Sequence, residues 1–107
     1  MMKLLSRSEE IILITILKLE GNAYGITIRE EIFKTTGDRW SFASIYDPLN
    51  KLTRKNFVEK MMGKPTAERG GRSKCLYQLT DSGKAALRAI RDVQNSVWSG
   101  INDLVLG

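Results

Sequence analysis

The stretch GGRSKCLYQLTDSG, residues 70–83, decides how the rest of the chain is read. A glycine pair beside Arg72 and Lys74 runs into an alternating segment, with Cys75 and Tyr77 on one face, Leu76 and Gln78 on the other, and then Leu79. Thr80 or Asp81 can cap the helix that the remaining residues predict. A basic glycine turn, a strand and a capped helix, in that order, describe a β-hairpin tip loaded with positive charge in front of a long helix. Such a tip suits contact with a nucleic-acid backbone.

Upstream of it, Phe57 to Met62 reads as the outgoing strand and Gly63 to Gly71 as the connecting loop. Asn56 before them closes a helix in a left-handed conformation. In that helix Ile45, Leu49 and Leu52 share one face, while Asn50, Lys51, Arg54 and Lys55 lie on or near the opposite one. Its start has two readings. Asp47-Pro48 alone looks like an N-cap followed by proline at the first helical position. Ser44 as N-cap, with Asp47 completing a weaker box, brings Ile45 onto the apolar face but makes Pro48 forfeit a backbone bond. We take Ser44. Trp40 and Phe42, alternating around Ser41, then form a short extended piece.

A further helix starts at Asn22 or Ala23 and ends near Gly37, with Ile28, Ile32 and Tyr24 at four-residue spacing on its inner face and Phe33 beside them. Before it, Ser6-Arg7-Ser8-Glu9 is a capping-box pattern. Residues 11–19 behind it are apolar except for Thr15 and Lys18, and Gly21 offers the C-terminal cap, so this first helix belongs at the centre of the core. Downstream, a helix from Asp81 to about Leu106 carries Ala86, Ile90, Val93, Val97, Ile101 and Leu104 at alternating three- and four-residue steps, a coiled-coil-like seam. One 107-residue subunit cannot cover that seam, so Ile90, Val93, Val97, Ile101 and Leu104 are expected to form a homodimer interface. The expected division is 1–80 for a DNA-binding part and 81–107 for a dimerisation helix.

Charge is unevenly placed. Of the net +5, residues 1–50 hold six Lys/Arg against seven Asp/Glu, and residues 75–107 hold three of each sign. Residues 51–74 hold eight Lys/Arg against Glu59 and Glu68, an electrostatic footprint suited to a polyanion. With no histidine and the single cysteine Cys75, Ser-His or Cys-His nucleophile pairs, histidine metal sites and internal disulfides are excluded. No acidic pair stands in a site-like setting. An enzyme is not expected, nor is a cofactor. The longest apolar run, Ile11 to Ile14, is far too short to cross a membrane, and no basic, hydrophobic, cleavable start precedes it, so a cytoplasmic protein is expected.

Three helices, a hairpin and a final helix make a mainly helical α+β fold, a winged helix-turn-helix. Over residues 8–90 the chain resembles the PadR family of transcriptional regulators. Four segments carry the resemblance: Tyr24-Gly25; Ser41-Phe42-Ala43-Ser44-Ile45-Tyr46 with Leu49 and Leu52; Gly70-Gly71-Arg72 with Lys74 and Tyr77; and Leu79-Thr80 with Gly83. The family commonly has glycine where Ala43 and Asn56 stand here. The resemblance implies a homodimeric repressor of the smaller type, with packed C-terminal helices, that often releases double-stranded DNA on binding a small aromatic effector.

Candidate DNA-binding residues follow from both lines. Asn50, Lys51, Arg54 and Lys55 would reach base edges or phosphates from the third helix. The resemblance gives the Tyr46 hydroxyl a phosphate contact. Ser44 can contact a base, cap the helix, or do both. Arg69, Arg72 and Lys74 suit phosphate or the minor groove, and Tyr24 is either core or backbone-contacting. Trp98, four residues after Gln94, is either an interface tryptophan or a flat stacking surface for the effector. A winged-helix module that docks a protein remains the second class, although a docking wing has no need of so many cations.

Overall fold

The structure, a computed structural model, describes residues 5–65 and 73–107. Ser6 starts helix α1 (Arg7–Leu19): its hydroxyl accepts from the Glu9 amide at 3.1 Å, and Glu9 Oε1 accepts from the Ser6 amide at 2.9 Å. The expected capping box is therefore present. Glu20, at φ 45°, and Gly21, at φ 86°, close the helix in left-handed conformations. Helix α1 packs against two further helices, α2 (Gly25–Thr36) and α3 (Phe42–Arg54), which completes the helix-turn-helix.

Strands β1 (Val58–Pro65) and β2 (Ser73–Leu79) form an antiparallel hairpin in which Val58 faces Leu79, Lys60 faces Tyr77 and Met62 faces Cys75. Its register is irregular between Met62 and Pro65. The outer edge of β2 is used as well, since the Tyr77 amide donates to the Ala23 carbonyl at 2.8 Å, just before α2. Helix α4 (Asp81–Trp98) follows, capped by the Thr80 hydroxyl, which accepts from the Gly83 amide at 3.0 Å. A short turn of helix, α5 (Asp103–Leu106), comes last.

The core draws on every layer: Ile12, Leu13 and Ile16 of α1, Ile28 and Ile32 of α2, Ile45, Leu49 and Leu52 of α3, and Val58, Tyr77 and Leu79 of the hairpin. Removing these side chains from water is the main stabilising term. Cys75 packs half-buried against the core, as its strand position implied. Burial pushes the Tyr77 phenol well above its ordinary range, and Cys75 adds to the effect, so this group stays neutral.

The boundaries differ from expectation in ways with physical causes. Helix α3 starts at Phe42 and not after Ser44: Ser41 is the N-cap, its hydroxyl accepting from the Ser44 amide at 3.1 Å. Phe42 is thus helical rather than extended, and Pro48 lies inside the helix with no N–H to offer the Ser44 carbonyl. Helix α2 starts two or three residues later than expected, because Thr27 Oγ1 accepts from the Tyr24 amide at 3.0 Å and fixes Tyr24 as the cap position. Phe33 points outward, under the Arg39 guanidinium at 4.3 Å, and not into the core. The strand expected to end at Met62 continues to Pro65.

The largest correction concerns the C-terminal helix, which is not continuous to Leu106. Gly100, at φ 87°, and Ser99 end it. Asn102 then caps a new turn through its side-chain oxygen, which accepts from the Val105 amide at 3.2 Å. Glycine is among the poorest helix formers, and a Ser-Gly pair followed by Asn-Asp is both a stop and a restart signal. Ile101 and Leu104 therefore do not extend the apolar seam of α4.

Candidate nucleic-acid interface

The surface of α3 is set by its buried side. Ile45, Leu49 and Leu52 have no exposure at all, which turns Asn50, Lys51 and Arg54 outward to solvent. Ser44 is exposed too, and its hydroxyl lies 2.9 Å from that of Ser41. It supports the cap without being the cap.

Tyr46 lies on the flank of α3 facing α2, half-covered, with its ring stacked on Phe42 at 6.4 Å between centroids. Its hydroxyl rests against Gly25, where any Cβ would overlap it. The Tyr24-Gly25 pair and the Ser41–Tyr46 segment, two separate motifs in the sequence, are thus the two halves of one contact. Gly83 has a similar reason, since a Cβ there would overlap the Phe57 carbonyl, which accepts from the Thr80 amide at 3.1 Å.

Not every candidate is placed on this surface. Tyr24 is buried, 9 % exposed, which favours the core reading, and the Lys74 ammonium sits 4.7 Å from its ring centroid. Lys55 turns back to α1, where its Nζ donates to Glu9 Oε2 at 2.8 Å. In the structure the ammonium neutralises a buried carboxylate and is not turned outward with Asn50, Lys51 and Arg54. Burial alone would raise the Glu9 carboxyl, but the hydrogen bonds from Lys55 and Ser6 outweigh it and hold the group below its ordinary 4.5. Arg69 and Arg72 lie outside the described residues.

Sequence reasoning missed an arginine–aromatic cluster at the turn between α2 and α3. Arg29 Nε donates to the Trp40 carbonyl at 2.6 Å, and its guanidinium lies 4.7 Å from the Phe42 ring centroid. These pairs join residues on different elements, so no periodicity announces them.

Helices α1 and α4 leave a groove of about 460 Å³ between them, lined by Ile14, Leu17, Leu87 and Ile90 together with Lys84, Arg88 and Arg91. Gln94 Nε2 spans it to the Glu10 carboxylate at 3.1 Å. Beyond Ile90 the seam of α4 is open at Val93 and at Val97, the latter 74 % exposed, and the neighbouring Trp98 is 52 % exposed. Among the described residues, no helix is long and apolar enough to cross a membrane.

A helix-turn-helix followed by a two-stranded wing, with the outer face of its third helix polar and basic, defines a DNA-binding transcription regulator of the winged-helix class. Residues 13–89 match the transcriptional regulator PadR-like family, and the chain belongs to that family, whose members are regulators and not enzymes. Solved structures agree on the fold. A PadR-like regulator from Bacillus cereus is 24 % identical with a TM-score of 0.72, over 92 % of this chain and 91 % of that one. A PadR family regulator from Clostridium difficile is 23 % identical with a TM-score of 0.69, over 92 % and 98 % of the two chains. RosR of H. salinarum is 25 % identical with a TM-score of 0.69, over 92 % and 82 %. No curated protein matches the sequence.

Proposed function

We propose that the chain is a cytoplasmic, homodimeric repressor that reads a pseudo-palindromic operator through α3. The observation that carries this reading is the division of α3 into a fully buried apolar side and an exposed side bearing Asn50, Lys51 and Arg54. Asn50 suits a bidentate contact to adenine, whereas Lys51, Arg54, Tyr46 and Ser44 suit phosphates or base edges. Lys74, with Arg69 and Arg72 of the wing, would grip the flanking backbone.

Dimerisation is supported by the groove between α1 and α4 and by the open apolar positions Val93 and Val97, which a second copy would cover. In this arrangement residues 1–80 carry the DNA-binding part and 81–107 the pairing part. The repressor role and release by an effector rest on the family resemblance. Trp98 offers a half-exposed indole on which an aromatic compound could stack.

Binding to duplexes from the protein's own genome, measured across a salt series, tests the reading. Affinity should fall with a log–log slope of about −0.9 per phosphate neutralised. Asn50→Ala should change base preference, and Arg72→Ala should weaken all duplexes alike. Binding indifferent to salt would overturn it. For the effector, a panel of aromatic compounds should quench emission in the wild type but not in Trp98→Phe, with Trp40 as the constant background.

A further inference from the structure

At about 100° per residue, the positions opposite Ile45, Leu49 and Leu52 are Ala43, Asp47, Asn50 and Arg54, spaced by four, three and four residues. All four are exposed. A carboxylate therefore stands in the middle of the face that the proposed function turns towards DNA. Its local duties are absent. Ser41 is the N-cap, so Asp47 caps nothing. Lys51 stands four residues on, yet among the described residues the carboxylate makes no ion pair or hydrogen bond.

An unpaired negative charge on a surface approaching a polyanion lowers affinity for every sequence. What it can supply is discrimination. A carboxylate only accepts hydrogen bonds, and the major groove presents two kinds of base donor, cytosine N4 and adenine N6. Adenine sets its N7 acceptor beside that donor, and guanine presents two acceptors, O6 and N7, which repel an anion. Cytosine carries no acceptor beside that donor on its own base, and the O6 of the paired guanine lies on the other side of it.

We propose that Asp47 is a specificity-determining residue that accepts a hydrogen bond from N4 of a cytosine in the operator half-site, beside the base read by Asn50. It also excludes guanine from that position on the contacted strand. The inference rests on the proposed reading of DNA by α3.

The test is selection from a randomised duplex pool by the wild type, Asp47→Ala, Asp47→Asn and Asn50→Ala, followed by affinities for the selected and an unselected duplex. Asp47 is exposed, and unchanged circular dichroism and thermal midpoints would verify that each variant is folded. The wild type should select cytosine at one position. Asp47→Ala should lose that preference alone, bind the unselected duplex more tightly, and show a ratio of selected to unselected affinity lower by about tenfold. Asp47→Asn should shift the preference to adenine. If Asp47→Ala selects the same sequence with the same ratio while Asn50→Ala alters it, the inference is overturned and the reading of DNA by α3 stands. If the wild type enriches no sequence at all, that reading falls first.

Discussion

Two glycines show how differently a missing Cβ can matter. At Gly83 the space is taken by the Phe57 carbonyl, a backbone atom fixed by its bond from Thr80. Gly83→Ala must therefore push β1 and α4 apart, and it should cost about 1–3 kcal/mol in denaturant unfolding. At Gly25 the space is taken by the tip of the Tyr46 side chain, which can swing away. Gly25→Ala should keep most of the stability yet displace the hydroxyl, so its loss should appear in DNA affinity. The Glu9–Lys55 pair gives a pH signature. The Glu9 carboxyl is held below 4.5 in the fold, so its contribution is complete above that value and is lost as pH falls through the lower, folded one. Lys55→Ala should destabilise at neutral pH by about 1–2 kcal/mol, less than for a fully buried pair because the lysine is partly open to water. The difference between wild type and Lys55→Ala should shrink as the medium is acidified below pH 4.5, which urea titrations at a series of pH values would measure.

Helix α3 carries a proline in its interior because its true start lies upstream of the strongest local signals. Ser44 and Asp47-Pro48 both look like caps, and each is followed by a legitimate first turn, so the sequence contains three competing starts. Ser41 wins because it lets Phe42 stack on Tyr46 and under Arg29, a tertiary gain invisible in the local pattern. Replacing Pro48 with Ala should return an N–H to the Ser44 carbonyl and raise stability by roughly 1–3 kcal/mol, read as a higher denaturant midpoint. The buried stripe Ile45, Leu49 and Leu52 was legible regardless of the start, because its spacing fixes the face whatever the first residue. Hence the outward placement of Asn50, Lys51 and Arg54 was legible too. Lys55 was not: one position beyond Arg54 on the helix, it meets Glu9, forty-six residues away in sequence. The seam of the last helix misled for a different reason. Its three- and four-residue steps continue through Ile101 and Leu104, and apolar spacing outweighed a single glycine that in fact ends the helix.

At the scale of the whole molecule, α1 and α4 leave an apolar groove open between them, continued by the exposed Val93 and Val97. Sedimentation should give a dimer at micromolar concentration, and Val97→Asp, a change at a largely exposed side chain, should give a folded monomer with weakened operator binding. Two recognition helices in such a dimer would serve half-sites about 34–36 Å apart, or a multiple of it. The bond from the Tyr77 amide to the Ala23 carbonyl joins two parts of the proposed DNA-binding surface. It stitches the hairpin to the root of α2 at a point where both are buried. The described part of the hairpin is therefore tied to the helix-turn-helix by backbone and not by side chains alone. If the hairpin and α3 both meet DNA as proposed, displacing the hairpin would pull on the start of α2, and with it on Gly25 and the Tyr46 hydroxyl seated against it. In that proposed complex, grip on the flanking backbone and the pose of α3 in the groove would be geared together, so that loosening one should detune the other.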